Sequence, residues 1–238
     1  MFWLLLALCE ATVLCAQTPA AQRAITDRTT YLADVAALCR VDWPKNRAVM
    51  IVCHGHSVPA GYFKTPEVRT LEAYPHLLRK GLAEKYPHAV INVVVTAIGG
   101  EDSENGARRF ERDVLSLRPD VVTIDYGLND RGMDLERAAI AWRAMIAQAK
   151  AAGVKVILLT PTPDLGKPWV DPADTLAQHA EQIRALARED GVGLVDSYAA
   201  FKQHAEAGGA TEALMSQRNH PNAKGHALVS EALLAWFP

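Results

Sequence analysis

The apolar positions of this chain fall into short solid runs separated by longer stretches of helical spacing. Val49 to Cys53 is apolar throughout and ends at His54-Gly55, the pattern of a strand buried on both faces. Val90 to Ala97, Val121 to Tyr126 and Lys155 to Thr160 repeat that pattern with many β-branched residues, and Gly193 to Asp196 is a shorter fifth run. The stretches between them read as helices. Thr70 to Tyr86 places Leu71, Tyr74, Leu77, Leu78 and Leu82 on one face. Ser103 to Leu117 carries Phe110, Val114 and Leu117 before Pro119 stops it. Leu135 to Ala152 is Ala-rich and ends at Gly153, a residue suited to a helix C′ position. Asp174 to Asp190, Ser197 to Ala207 and Asn222 to Phe237 complete the helical set, and the four prolines between Pro161 and Pro172 mark a loop.

Fully apolar strands alternating with helices predict a parallel sheet covered on both faces. Right-handed crossovers then give an α/β three-layer α/β/α sandwich around a mainly parallel five-stranded sheet. In such sheets ligands bind outside the carboxyl ends of the strands. The residues just past each strand are therefore the candidates for chemistry.

Composition narrows the partners. The 238 residues are 50% hydrophobic with a formal net charge of -2, enough for one well-packed domain and no electrostatic invitation to nucleic acid. The apolar stretch from Met1 to Leu8, followed by small residues and a processing point near Ala16, resembles an export signal. Glu10 and the lack of Lys or Arg before Arg23 depart from that pattern. The stretch is too short to span a bilayer, so stable membrane insertion is not expected. The expected organisation is a signal over 1–16, an N-terminal extension over 17–47 and a catalytic domain over 48–238, secreted or periplasmic. Cys9 and Cys15 would leave with the signal. Cys39 and Cys53 would stay, as two small buried residues or as one disulfide in an oxidising compartment. Their spacing is not that of a metal site, and no metal or organic cofactor is called for. Nothing in the sequence sets an oligomeric state.

Four post-strand or pre-helix segments carry candidate groups. Gly55-His56-Ser57 puts a hydroxyl directly after the first strand; alone, it reads equally as a helix cap. Ile98-Gly99-Gly100-Glu101 lets backbone N–H groups approach a ligand, or is a simple turn. Gly127-Leu128-Asn129-Asp130 offers a neutral amide donor, or an Asn-Asp turn. Asn219-His220-Pro221-Asn222 offers an imidazole just before the last helix. His76, His88, His179 and His204 read as solvated, while His54, His56 and His226 flank the motifs.

In this order the four segments resemble the four blocks of the SGNH (GDSL-like) hydrolase superfamily, over roughly Val49 to Phe237. Gly-X-Asn-Asp and His-Pro-Asn are the most specific pieces. The resemblance implies a flavodoxin-like fold and a serine esterase with Ser57 as nucleophile and His220 as its base. It implies an oxyanion hole from the N–H groups of Ser57 and Gly100 and the amide of Asn129. Two positions depart from the family pattern. His56 stands where the family has Asp before the nucleophile. Gln217 stands three residues before His220, where the family has an Asp that orients the histidine.

An amide can accept a hydrogen bond but supplies no full charge to an imidazolium. Three readings compete: a Ser–His dyad steadied by Gln217 or a backbone carbonyl, a replacement acid such as Glu212 or Asp196, or a weak or dead site. The first is preferred, because Ser57, Gly100, Asn129 and His220 are all retained. Tyr62, Phe63 and Trp169 are candidate pocket walls, and Trp169 in particular could stack on a sugar. The expected substrate is a small-molecule or carbohydrate ester with a short acyl group, acetyl foremost. The alternatives are a longer-chain lipase or thioesterase, and a catalytically impaired carbohydrate-binding protein.

Overall fold

The computed structural model describes residues 26–238. Its centre is a five-stranded, all-parallel sheet in the order β2-β1-β3-β4-β5. The strands are β1 (Ala48–Gly55), β2 (Val90–Val95), β3 (Val121–Asp125), β4 (Lys155–Leu159) and β5 (Gly193–Val195). All five predicted strands are present. The interior ones are buried on both faces, which is why they lack polar alternation.

The helices are α1 (Ala33–Cys39), α2 (Ser57–Ala60), α3 (Tyr74–Lys85), α4 (Ser103–Asp113), α5 (Gly127–Asp130), α6 (Leu135–Ala151), α7 (Thr175–Asp190), α8 (Ser197–Glu206) and α9 (Ala223–Leu234). On one face α3 packs against α9; on the other α4 packs against α6, with α7 beside α6. Two apolar clusters result. One holds Ile51, Leu78, Leu82, Leu233 and Phe237, the other Val52, Phe110, Ile124, Trp142 and Leu158. Ile51 and Val52 are consecutive on β1, so adjacent side chains feed opposite layers.

Several boundaries move inward from their predicted positions. The helix expected from Thr70 begins at Tyr74, after a short 3₁₀ turn over Thr70–Glu72, and the one expected to reach Leu117 ends its α-helical part at Asp113. Within the N-terminal extension, Leu32, Val35, Ala36 and Cys39 are buried in the main core. The proposed export signal lies outside the described residues. Cys39 and Cys53 are both free and buried, so the disulfide considered for them is not formed. Burial pushes the Cys53 thiol up to about 12. His179 is buried too, with Nε2 3.3 Å from the Met133 carbonyl, and is not a solvated residue. Among the described residues no helix is long and apolar enough to cross a membrane.

The chain leaves β1 to one side (β2) and β3 to the other, so the strand order reverses beside β1. That reversal opens a crevice at the carboxyl ends of β1 and β3. The loops after these two strands carry Ser57 and Asn129.

Candidate active site

Ser57 is the first residue of α2, just past the end of β1, and is 7% exposed. Its turn is fixed locally. His56 caps α2, its Nδ1 accepting from the Val58 N–H at 3.1 Å. Gly61 ends α2 with φ +88°, where a Cβ would press on the Thr70 Cα. Because His56 Nδ1 is an acceptor, its proton sits on Nε2, which lies 3.4 Å from Asp125 Oδ1. Tyr74 donates its hydroxyl to Asp125 Oδ2 at 3.1 Å. The histidine at this position thus caps α2 and lies beside the buried Asp125 carboxylate at the end of β3 without a hydrogen bond to it.

His220 reaches Ser57 from the far end of the chain. It opens β7 (His220–Pro221), which pairs antiparallel with β6 (Met215–Gln217) in a hairpin absent from the predicted elements. Its Nε2 lies 2.9 Å from Ser57 Oγ. Its Nδ1 meets the Phe63 carbonyl at 3.1 Å and Gln217 Nε2 at 2.8 Å. Burial lowers the His220 pKa, and the nearby His56 ring lowers it further, against a raising contribution from the Phe63 carbonyl. The ring is therefore neutral at pH 7, the form a base requires.

Neither of the two acids considered as substitutes bonds to His220 Nδ1. Asp196 pairs with Arg184 at 2.7 Å, accepts from Thr160 and caps α8 through the Ala199 N–H. Glu212 is exposed in a 3₁₀ turn. His220 Nδ1 thus meets the Phe63 carbonyl and the Gln217 amide nitrogen rather than a carboxylate. The Phe63 carbonyl was not legible as a contact, because a backbone oxygen leaves no mark in residue type.

The glycine turn and the Asn129 turn are joined. Gly100 has φ +80°, a left-handed conformation that favours glycine, and it is exposed. Gly99 has no room for a side chain, since a Cβ there would lie 2.9 Å from the Tyr62 ring. Asn129 donates one amide hydrogen to the Glu101 carbonyl at 2.8 Å, which leaves its second hydrogen for another acceptor. Glu101 is itself anchored by Arg109 and by the Tyr126 hydroxyl at 2.9 Å. Asp130 ties the same loops together, accepting from the Ser103 N–H at 2.8 Å and from Trp142 Nε1 at 2.7 Å. Neither Glu101 nor Asp130 was singled out for this bracing from sequence. Both lie inside the recognised blocks, and that position was the available signal.

The pocket walls divide. The Tyr62 ring is half-buried, leans over His220 with centroids 6.0 Å apart, and covers Gly99. Phe63 is half-buried, with the Arg69 guanidinium 3.7 Å above its ring. Trp169 does not present a face for stacking. It is 7% exposed and packs edge-on against Tyr198, whose hydroxyl donates to the Trp169 carbonyl. Its apolar area is spent on closing the proline-rich loop.

A serine hydroxyl 2.9 Å from a neutral imidazole, at the switch point of a parallel sheet, defines a class: an ester hydrolase on an α/β/α sandwich. The chain belongs to the GDSL-like lipase/acylhydrolase family, which matches residues 53–228, and is a carboxylic ester hydrolase. It is 27% identical over 161 residues to the acetylxylan esterase of Geobacillus stearothermophilus, covering 63% of this chain and 73% of that protein. It is 25% identical over 217 residues to the acetylxylan esterase of Xylanibacter ruminicola, covering 81% of this chain but 44% of that protein. The crystal structure of the Geobacillus esterase superposes with a TM-score of 0.69 at 26% identity, over 79% of this chain and 94% of that one. Catalytic mutants of that esterase at a serine, a histidine and an aspartate have been solved. A two-domain esterase active on acetylated mannans shares the fold, with a TM-score of 0.70 at 20% identity.

Proposed function

We propose that this chain removes acetyl groups from carbohydrate through an acyl-enzyme on Ser57. The observation that carries the reading is the 2.9 Å contact between Ser57 Oγ and His220 Nε2 across 163 residues of sequence. His220 Nε2 takes the Ser57 proton as Oγ attacks the ester carbonyl. The oxyanion accepts from the Ser57 and Gly100 N–H groups and from the second amide hydrogen of Asn129. Collapse expels the sugar oxygen, which takes the proton from His220. Water then enters, gives its proton to the same ring, and releases acetate and free Ser57.

Acetyl on carbohydrate is supported by the substrates named for the relatives. Tyr62, half-buried over His220, is the wall beside the acyl site. The apolar start of the chain supports export, the setting in which a plant-polymer ester would be met.

The test is a panel of acetylated xylooligosaccharides and nitrophenyl esters of rising chain length. Activity is expected to peak at acetyl and to vanish in Ser57→Ala, while Asn129→Ala lowers kcat by about 100- to 1000-fold. A peak at eight carbons or more sinks the acetyl reading. Full activity in Ser57→Ala sinks the mechanism.

A further inference from the structure

The contacts around His220 Nδ1 conflict in a way that bears on the rate. For Nε2 to accept the Ser57 proton, Nδ1 must carry the ring hydrogen and needs an acceptor. The Phe63 carbonyl is such an acceptor, at 3.1 Å. Gln217 is not: it points its Nε2, a donor, at Nδ1 from 2.8 Å. The amide orientation is set by its other neighbours. Gln217 Oε1 accepts from the Thr65 N–H at 3.0 Å, and Gln217 Nε2 also faces Asn219 Oδ1 at 3.1 Å and Thr65 Oγ1 at 3.3 Å. Exchanging the amide oxygen and nitrogen only relocates the conflict, because an N–H would then face the Thr65 N–H.

The same heavy atoms therefore admit two proton arrangements. In one, Nδ1 is bare and accepts from Gln217, while Nε2–H donates to Ser57 Oγ; that ring cannot act as a base. In the other, Nδ1–H points to Phe63 O, and the Gln217 hydrogens turn to Asn219 and Thr65. This second arrangement is productive but leaves two N–H groups crowded at 2.8 Å.

We propose that Gln217 is a positioning residue that biases resting His220 toward the unproductive tautomer, so that the enzyme turns over below the rate its other groups permit. The proposal rests on His220 being the base for Ser57. A glutamate at 217 in the same conformation would resolve the conflict. One carboxylate oxygen would accept from Thr65 N–H and the other from Nδ1–H, and its charge would steady the imidazolium.

The experiment compares wild type with Gln217→Glu on nitrophenyl acetate, with Ser57→Ala as the control that tests the underlying mechanism. Gln217→Glu is expected to raise kcat by about 10- to 100-fold with KM little changed; the reverse exchange, carboxylate to amide, costs about 10⁴-fold in a serine-protease triad. The acid limb of kcat/KM should move to higher pH, since a carboxylate beside the ring favours its charged form. Nitrogen NMR of ¹⁵N-histidine protein, with His220 assigned by its loss in His220→Gln, should show Nε2–H in wild type and Nδ1–H in the variant. A folded Gln217→Glu with unchanged or lower kcat overturns the proposal. So does a wild-type His220 that already carries its proton on Nδ1, a measurement that stands even where the variant fails to fold. Neither result would affect the Ser57 assignment, which the control reads separately.

Discussion

Position 56 illustrates how one residue can satisfy two demands. The acceptor that the Val58 N–H needs could come from Asp or from a neutral histidine nitrogen. Here Asp125 lies against the ring, 3.4 Å from His56 Nε2, with the Tyr74 hydroxyl on its other oxygen. His56→Asp would restore the family residue and its cap, but would also bury a second carboxylate against Asp125. That variant is expected to lose about 2 kcal/mol of stability. Adding Asp125→Asn should return a large part of it, because an amide can donate to the new carboxylate. Denaturant unfolding of the two single variants and the double variant reads the coupling; strictly additive losses would contradict it. The sequence exposed the substitution at 56 but not its reason, since Asp125 lies on a different strand, far along the chain.

At the scale of elements, the hairpin of β6 and β7 carries both Gln217 and His220, and a buried carboxylate helps to hold it. Asp164, 1% exposed in the proline-rich loop, takes Arg218 Nε from the hairpin at 3.0 Å and Arg131 Nε from the end of α5 at 3.2 Å. The Leu165 N–H donates to the Arg218 carbonyl at 2.8 Å. One buried carboxylate thus joins three segments, two of which bear site residues. Breaking a fully buried pair costs about 3–5 kcal/mol; Arg218 is more than half exposed, so a loss nearer ~2 kcal/mol is expected for Asp164→Ala. The kcat should fall with it while KM changes less, because the hairpin sets the ring rather than the substrate. A variant with a lowered thermal midpoint and wild-type kcat would confine Asp164 to stability. Strands of two and three residues are too short to show a period, so the hairpin leaves no hydrophobic pattern in the sequence, and the four-residue α2 and α5 leave none for the same reason.

At the scale of the whole molecule, two buried histidines outside the catalytic pair couple folding to pH. His54 links β1 to the α4 layer, with Nδ1 2.8 Å from Thr96 Oγ1 and Nε2 3.2 Å from the Gly106 carbonyl. His226 Nδ1 accepts from the Tyr74 N–H at 3.2 Å. Burial holds both down to about 4. The unfolded chain titrates them near ~6.5, so between those values it binds more protons than the folded state. Their contribution is intact above about pH 6.5 and is lost progressively as pH falls toward about 4. The thermal midpoint should be flat near pH 7 and drop through that window. His226→Asn, which keeps an acceptor for Tyr74, should drop less steeply. Parallel pH profiles for the two proteins would contradict the assignment of His226 as buried and neutral.

The chain's own pattern determined the layers, the five strands and the loops that follow them. Runs such as Val121 to Tyr126 can only be buried on both faces, and the rule for parallel sheets points to the residues at their carboxyl ends. The resemblance of four ordered segments to the family's blocks, rather than any one segment alone, pointed to Ser57, Gly100, Asn129 and His220. Only the tertiary structure decided what surrounds His220, that Asp196 is committed to Arg184, and that Trp169 is core rather than a stacking face. These depend on which distant backbone oxygen or side chain arrives within about 3 Å, the reach of a hydrogen bond. Residue type and spacing constrain the nearest turns of chain, whereas that last ångström is set by the packing of elements hundreds of atoms apart.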